Sequence, residues 1–157
     1  MIVRRNQDDD LESVATVFTE TVQRVNSRDY SPEQVAAWAP RPPDLARWRK
    51  RVAGLALWVA ESDNRVIGFC CLGADGHVDL LYVDHRFQRQ GMARSLYQQV
   101  ELEARRRGIR RLFTGASITA RPFFERMGFS VLRQQQVEFC GVIFENYAME
   151  KQVPEAG

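Results

Sequence analysis

A strand that leads through a glycine turn into a long helix is the feature that most constrains the fold of this chain. The apolar run at residues 80–83 predicts the end of a strand, and apolar residues at helical spacing predict a helix over residues 92–107. The turn between them contains Gly91. Such a junction directs several unpaired main-chain N–H groups and the positive end of the helix dipole to one point. We therefore expect a phosphate group to bind there.

The residue types in this turn suit an anion. Gly91 lets the main chain approach closely and can adopt a positive φ, and the small Ala93 keeps the first helical turn near the anion. Arg89 and Arg94 add positive charge beside the amides. An ordinary strand-to-helix turn is the alternative explanation. Gly91 is the only glycine between residues 77 and 108, so neither the G-x-G-x-x-G pattern nor the P-loop pattern is present. The dinucleotide-binding and P-loop nucleotide-binding folds therefore lose most of their support.

Local signals predict where several other elements lie. Ser31, Pro32 and Gln34 have the pattern of a helix N-terminus, with Ser31 as the cap. Residues 11–26 predict an earlier helix whose apolar face carries Val14, Val17, Phe18 and Val22. Residues 130–139 and 142–150 predict a closing hairpin around Cys140 and Gly141.

Two segments resemble the signatures of a known superfamily. Gln88-x-x-Gly91-x-Ala93, which follows the predicted strand, resembles the acetyl-CoA signature Q/R-x-x-G-x-G/A of the GNAT superfamily of N-acetyltransferases. ARPFFERMGF at residues 120–129 is similar to the superfamily segment A-x-x-F/L-Y-x-K-x-G-F, and the two segments occur in the expected order. More loosely, residues 30–39, 116–126 and 146–149 resemble the bacterial YafP-like branch. The resemblance covers nearly the whole chain, from residue 2 to about residue 151.

The predicted fold class is α/β. The order of the predicted elements favours a sandwich with a mixed, mostly antiparallel sheet, because only connections through a helix readily join parallel strands. The resemblance implies a GNAT-like three-layer α/β/α sandwich of about seven strands, splayed at the centre to leave a cleft. Residues 1–151 are expected to form a single acetyl-CoA-dependent N-acetyltransferase domain, and residues 152–157 a frayed tail.

The resemblance implies acetyl-CoA as co-substrate and no metal. Its diphosphate would lie on the glycine turn, and its pantetheine arm would bond the central strand as an added strand does. Ser117 stands where many relatives carry Asn, so it would bond the pantetheine, or else cap the helix expected at residue 120. The candidate coenzyme-binding residues are Leu81, Tyr82, Val83, Gln88, Arg89, Gln90, Gly91, Met92, Ala93, Arg94, Ser117 and Phe124.

Acetyl transfer to an amine requires a group that removes a proton, because only a neutral amine attacks. His77 and Asp79 lie two apart on the predicted strand and hence on one face. By the resemblance, His77 falls at the base position of histone-acetylating members, and Asp79 matches the acid that precedes the Leu-Tyr-Val run of many bacterial members. Asp79, acting through water, is slightly preferred. Each residue has an alternative interpretation of equal weight: Asp79 as a structural carboxylate and His77 as a polar residue at the strand edge.

The leaving thiolate needs a proton, and the superfamily often supplies it from a tyrosine. Phe124 occupies that position here and has no proton to donate. Tyr147 is the candidate replacement, with Tyr82 or solvent as alternatives. Packing of Tyr147 in a strand, with its hydroxyl hydrogen-bonded, is the competing interpretation.

Residues 30–58 would form the variable wall that holds the acceptor. Tyr30 and Trp38 are the candidate substrate-binding residues, because aromatic rings stack on planar amines or on cations. Trp48 belongs to the same segment, whereas Trp58 is expected in the core of a strand. An acidic acceptor, or solvent, would contact Arg41, Arg47 and Arg49.

The predicted function is transfer of an acetyl group from acetyl-CoA to a primary amine of a small molecule, by direct attack in a ternary complex. The alternative is a non-catalytic acyl-CoA-binding sensor or scaffold of the same fold. The missing tyrosine favours the alternative, and the presence of both Asp79 and His77 favours the enzyme.

Composition limits the partners. The chain has 157 residues and a net charge of +2, too small to indicate nucleic acid, and its basic cluster at residues 105–111 is explained as a helix end. No stretch approaches the ~20 apolar residues of a membrane span, and no signal-peptide-like segment begins the chain. Its three cysteines have neither disulfide-framework nor metal-ligand spacing, which favours the cytoplasm. A homodimer stays open.

Overall fold

The structure is a computed structural model and describes residues 1–155. This part of the chain forms two β-sheets with helices packed on both faces. The strands are β1 (Ile2–Arg5), β2 (Ala56–Ser62), β3 (Arg65–Leu72), β4 (Val78–Val83), β5 (Arg111–Ser117), β6 (Ser130–Phe139) and β7 (Val142–Gln152). The α-helices are α1 (Leu11–Arg24), α2 (Pro32–Trp38), α3 (Leu45–Val52), α4 (Met92–Arg106) and α5 (Arg121–Arg126).

The sheet divides at its centre. One sheet has the antiparallel order β1-β2-β3-β4, and the other has the antiparallel order β5-β7-β6. The two meet where β4 and β5 begin, through a parallel bridge between His77 and Phe113. The hydroxyl of Thr114 also donates to the carbonyl oxygen of Val78 at 2.8 Å. The strands then diverge, so the α/β sandwich with a mixed, mostly antiparallel, centrally splayed sheet of seven strands is confirmed.

Amphipathic helices cover the two faces. On one face, α1 buries the predicted stripe of Val14, Val17, Phe18 and Val22 together with residues of α2 and α3. On the other face, α4 packs with α5 and contributes three side chains that are fully buried, Leu96, Val100 and Ala104. Each fully buried leucine or valine adds about 1.5–3 kcal/mol of stability relative to an exposed one. The resulting three layers hold the divided sheet in place.

Helix caps explain where the short helices of the first face begin. The hydroxyl of Ser31 accepts the main-chain N–H of Gln34 at 3.1 Å, and the Gln34 side chain accepts the N–H of Ser31 at 2.8 Å. Asp44 caps α3 by accepting the N–H of Arg47 at 3.2 Å. These caps set the starting points of α2 and α3 and therefore the position of their side chains over the sheet.

The ordered domain extends past the boundary expected at residue 151. Strand β7 continues to Gln152, and Val153 is only 3% exposed. The N–H of Val153 donates to the carbonyl oxygen of Arg110 at 2.9 Å. The expected frayed tail is therefore wrong for residues 152 and 153, because an apolar side chain and a main-chain bond hold them; residues 156 and 157 lie outside the described residues.

Within the described part of the chain, no helix is long and apolar enough to cross a bilayer.

Candidate active site

A cleft of about 1940 Å³ occupies the space where β4 and β5 diverge. One end is lined by the turn that leads into α4, and the other end by α1, α2, α3 and the β6–β7 hairpin. The cleft therefore has a turn side and a helical side, which meet at the split in the sheet.

The turn side presents main-chain donors. Gly91 is the residue before α4 and has a φ of 80°, the left-handed conformation that its lack of a side chain permits. Arg89 also has a positive φ, 60°. None of the N–H groups of residues 91–94 donates to an acceptor within residues 1–155. A Cβ at Gly91 would meet no atom within 4 Å, and Gly91 lines the cleft, so no neighbouring atom fills the space beside this turn.

Gln88 ties this turn to the end of β4. Its side-chain Nε2 donates to the carbonyl oxygen of Val83 at 2.5 Å, and the hydroxyl of Thr21 donates to the same oxygen at 3.2 Å. Of the strand residues expected to bond a pantetheine arm, Val83 thus has its carbonyl already occupied. The predicted residues Leu81, Tyr82, Gln88, Arg89, Gly91, Met92, Ala93 and Arg94 all line the cleft, whereas Gln90 is exposed beside it.

Ser117 and Phe124 lie across the cleft from β4. The hydroxyl of Ser117 accepts the N–H of Ala120 at 3.0 Å and the side-chain amide of Asn26 at 3.4 Å, so it bonds the turn before α5, whose N-cap is Ala120 and receives no side-chain cap. Phe124 is 4% exposed and packs edge-on against Phe129 at 5.1 Å between centroids. Both line the cleft, and Phe124 offers it an apolar surface.

Asp79 lies between the two sides and is bound by an arginine from α3. Both Arg51 guanidinium nitrogens donate to its carboxylate, one of them at 2.8 Å, and the side chain of Asp79 is 11% exposed. Hydrogen bonding to Asp79 raises the pKa of Arg51, which therefore stays charged. His77 is the other neighbour, with its Nδ1 3.8 Å from Oδ1 of Asp79 and its ring stacked on Phe113 at 4.9 Å.

A β-bulge places Asp79. Cys71 pairs with Leu80 and Leu72 pairs with Val78, so Asp79 is the extra residue of the bulge. The predicted juxtaposition of His77 and Asp79 is present, but regular alternation along a strand does not produce it, since β4 begins at Val78. The bulge turns the carboxylate toward the Arg51 side chain.

Aromatic rings form the helical side of the cleft. Trp48 and Tyr82 each lie edge-on to Phe18 with centroids 4.9 Å apart, and Trp38 lies edge-on to Phe144 at 5.9 Å. All five rings line the cleft. Trp58 is 4% exposed in the core, as the sequence predicts. The predicted aromatic wall therefore includes two rings, Phe18 and Phe144, that sequence reasoning missed because each is read first as core.

Tyr30 joins the helical side to the second sheet. Its hydroxyl donates to the carbonyl oxygen of Glu145 at 2.6 Å and accepts the N–H of Ile118 at 3.0 Å, and the residue is 8% exposed. Burial raises the pKa of this hydroxyl, which keeps it protonated. Tyr30 lines the cleft, but its polar atom is fully used by the main chain.

We expect Tyr30→Phe to destabilise the protein by about 1–3 kcal/mol, because the change leaves the Ile118 N–H and the Glu145 carbonyl unpaired. Urea or thermal unfolding measures this loss. Tyr147→Phe is the matched control and should cost less, because the hydroxyl of Tyr147 donates to the side chain of Glu145 at 3.1 Å rather than to the main chain. Equal losses in the two variants would contradict this role for Tyr30.

Tyr147 does not belong to the cleft lining. The guanidinium of Arg121 lies 4.4 Å above its ring, and its side chain packs with the core on the α5 face. Its hydroxyl donates to the Glu145 carboxylate. These contacts correspond to the packing role that the sequence left open for this residue.

Asn146 is a cleft residue that sequence reasoning did not include among the candidate site residues. It pairs in register with Ser117 across β5 and β7 and lines the cleft. Its side-chain oxygen is buried and has no hydrogen-bond donor among residues 1–155. A Cβ at Gly115 would lie 3.4 Å from its Nδ2, so that glycine leaves space beside the amide. A buried acceptor without a partner is suited to a ligand N–H.

Comparisons with known proteins agree with this geometry. The family model for the acetyltransferase (GNAT) domain matches residues 26–151. The uncharacterized N-acetyltransferase YafP of Escherichia coli K12 is 35% identical over 148 residues, which cover 94% of this chain and 93% of the relative. A GCN5-related N-acetyltransferase from Rhodopseudomonas palustris superimposes with a TM-score of 0.91 at 28% identity, covering 96% of this chain and 94% of that one. PaiA N-acetyltransferase from Thermoplasma acidophilum, solved with coenzyme A, has the same fold, with a TM-score of 0.76 at 18% identity and coverage of 96% and 98%.

Proposed function

This chain belongs to the GNAT acetyltransferase family, and we propose that it transfers an acetyl group from acetyl-CoA to a primary amine of a small molecule by direct attack in a ternary complex. One observation carries the proposal: a cluster of unpaired amides at residues 91–94 and the carboxylate of Asp79 line the same cleft at the split in the sheet. The three cysteines are free in the structure, in keeping with action in the reducing cytoplasm.

The turn side fits the coenzyme. Acetyl-CoA supplies the acetyl group as a thioester. The amides of residues 91–94, at the N-terminus of the 15-residue helix α4, suit a diphosphate, and Arg89 and Arg94 add charge-assisted donors. Along the diverging edge of β4, the main-chain groups of Leu81 point away from β3 and suit an amide group of a pantetheine arm. Gln88 holds this turn in position through Val83.

Asp79 is the proposed base. An acceptor ammonium must lose a proton before its nitrogen can form the new C–N bond, and the Asp79 carboxylate can take that proton directly or through water. Arg51 orients the carboxylate by two hydrogen bonds. His77, 3.8 Å away, is the second candidate for the same proton. The buried oxygen of Asn146 offers a further acceptor for an N–H of the incoming amine.

Solvent is the proposed proton source for the leaving thiolate. Phe124 has no proton to give, and the hydroxyl of Tyr147 already donates to Glu145 outside the cleft. Burial raises the pKa of Tyr82, so that phenol is a weaker acid than usual. As the C–S bond breaks, the thiolate leaves without a dedicated acid, because the conjugate base of a thiol with a pKa of about 8.5 is only weakly basic, and it then takes a proton from water.

The aromatic side favours a planar or apolar amine. The rings of Phe18, Trp38, Trp48, Tyr82 and Phe144 line the same cleft as Asp79, and aromatic faces attract both flat rings and cations. An amine with an aromatic or alkyl body would bury apolar surface against them. Trp38 is thus proposed to contact the acceptor, and Tyr30 to hold the wall in place.

A thiol-release assay over a panel of amines tests the proposal, with the binding of CoA measured separately by calorimetry. Turnover that depends on the amine, together with an acetylated product detected by mass spectrometry, supports it. Tight binding of CoA with no turnover on any amine would contradict it and support the non-catalytic sensor or scaffold.

A further inference from the structure

Helix α3 carries four basic residues, and two of them face the cleft. Arg47 and Arg51 line it, whereas Arg49 and Lys50 do not. Residues four apart lie on one side of a helix, about 6 Å apart along its axis. The cleft is therefore bordered by two guanidinium groups that are one helical turn apart.

The two arginines differ in their partners. Arg51 is committed to Asp79 by two hydrogen bonds. Arg47 forms no ion pair with a carboxylate of residues 1–155, and Asp44, the nearest acid in the sequence, uses its carboxylate to cap α3. The Arg47 guanidinium instead lies 5.8 Å from the centroid of the Phe139 ring, on the β6–β7 hairpin. Its hydrogen-bond donors are thus available at the mouth of the cleft.

Apolar side chains line the cleft near that charge. Phe139 is 42% exposed, Val137 also lines the cleft, and Trp48 follows Arg47 on α3. Arg47 is itself exposed, so its guanidinium would hold an anion at the solvated mouth of the cleft. A carboxylate also matches the planar fork of a guanidinium.

We infer that the acceptor carries a carboxylate as well as its reacting amine, and that Arg47 binds this carboxylate while the amine lies at Asp79. The inference rests on the proposed function and narrows its substrate class to amino carboxylates with an aromatic or apolar body. Because Arg47 lies one turn beyond Arg51, the two polar ends of the acceptor lie apart, with the apolar body between them against the aromatic wall.

Benzylamine and 4-(aminomethyl)benzoate test this inference, because they differ only in a carboxylate placed across the ring from the amine. We expect kcat/KM for 4-(aminomethyl)benzoate to exceed that for benzylamine by about 3- to 10-fold, the size of one charge-assisted hydrogen bond that is partly screened by solvent. In Arg47→Gln the ratio should fall to about 1 through a higher KM for the carboxylate substrate, and Arg47→Lys should restore part of it.

Arg49→Gln is the matched control, since it removes the same charge from the same helix outside the cleft and should keep the wild-type ratio. The affinity for CoA and the melting temperature should stay unchanged in both glutamine variants. If the protein acetylates other amines, two results overturn the inference. One is a ratio of the two kcat/KM values near 1 in the wild-type protein. The other is a high ratio that Arg47→Gln does not lower. If no amine in the panel is acetylated, the proposed function fails and this inference fails with it.

Discussion

Gly91→Glu is expected to weaken the binding of CoA by about 100-fold or more, with a matching loss of activity at limiting acetyl-CoA. Gly91 lines the cleft and a Cβ there meets no atom within 4 Å, so a glutamate side chain fits without a clash and brings a negative charge close to the proposed diphosphate site. Two unit charges about 5 Å apart repel by about 3 kcal/mol at an effective dielectric constant of 20. Calorimetric titration with CoA measures the change.

Gly108→Glu is a matched control for this variant. Gly108 follows the other end of α4, has a φ of 74° and also has open space around it, so a side chain there meets the same backbone strain. It should bind CoA with wild-type affinity. Gly91→Ala separates strain from charge and should lose much less affinity than Gly91→Glu. Unchanged affinity in Gly91→Glu would show that the diphosphate binds elsewhere.

Asp79→Asn should lower kcat by about 10²–10⁴-fold, the usual contribution of a general base, while the affinity for CoA is retained. The amide keeps the shape of the side chain but cannot take a proton. Arg51 loses its ion pair, yet its side chain is 47% exposed, so water can solvate it and the fold should survive. Single-turnover rates and CoA titration on the same preparation separate chemistry from binding.

Asp63→Asn and His77→Gln make this experiment decisive. Asp63 lies in the turn between β2 and β3, is exposed, and does not line the cleft, so removing its charge should leave kcat unchanged. Wild-type turnover in Asp79→Asn with a large loss in His77→Gln would assign the base to His77. Retained turnover in both variants would show that neither Asp79 nor His77 is the general base.

The parts of the fold that depend on neighbouring residues could be predicted from the sequence. The Ser31 cap and the turn at Cys140 and Gly141 each depend on a few adjacent residues, and the structure places both where the sequence predicts them. The stripe on α1 follows from helical periodicity alone. The turn at Gly91 combines a local pattern with a family resemblance, and its positive φ is present.

Contacts between distant segments could not be predicted in the same way. Arg51 and Asp79 are 28 residues apart, and their pairing depends on where α3 lies over β4. It also depends on a β-bulge for which the sequence contains no local signal. The Tyr30 hydroxyl bonds main-chain atoms 88 and 115 residues away. Sequence reasoning therefore found an aromatic wall at Tyr30 and Trp38, but it did not predict that the hydroxyl of Tyr30 joins the helical side of the cleft to the second sheet.

The predicted end of the domain was wrong because it depends on one isolated apolar residue. Val153 lies between polar residues and Pro154, a pattern that is typical of a frayed terminus. Its side chain nevertheless packs in the core. Asn146 was overlooked for a related reason, because strand alternation gives two faces without saying which one borders a cleft. Only the register of β7 against β5 answers that question.

The division of the sheet has a consequence for hydrogen exchange. Past the His77–Phe113 bridge, the groups of β4 that point away from β3 have no neighbouring strand, so their amide protons are open to solvent. A ligand that occupies the gap would shield them. Deuterium uptake at Leu81 should therefore slow when CoA is added, whereas uptake should not change at Tyr82, whose main chain faces β3, or in the β6–β7 hairpin. The interior of this protein would then be completed only when it is loaded, with the coenzyme serving as a structural element as well as a reactant.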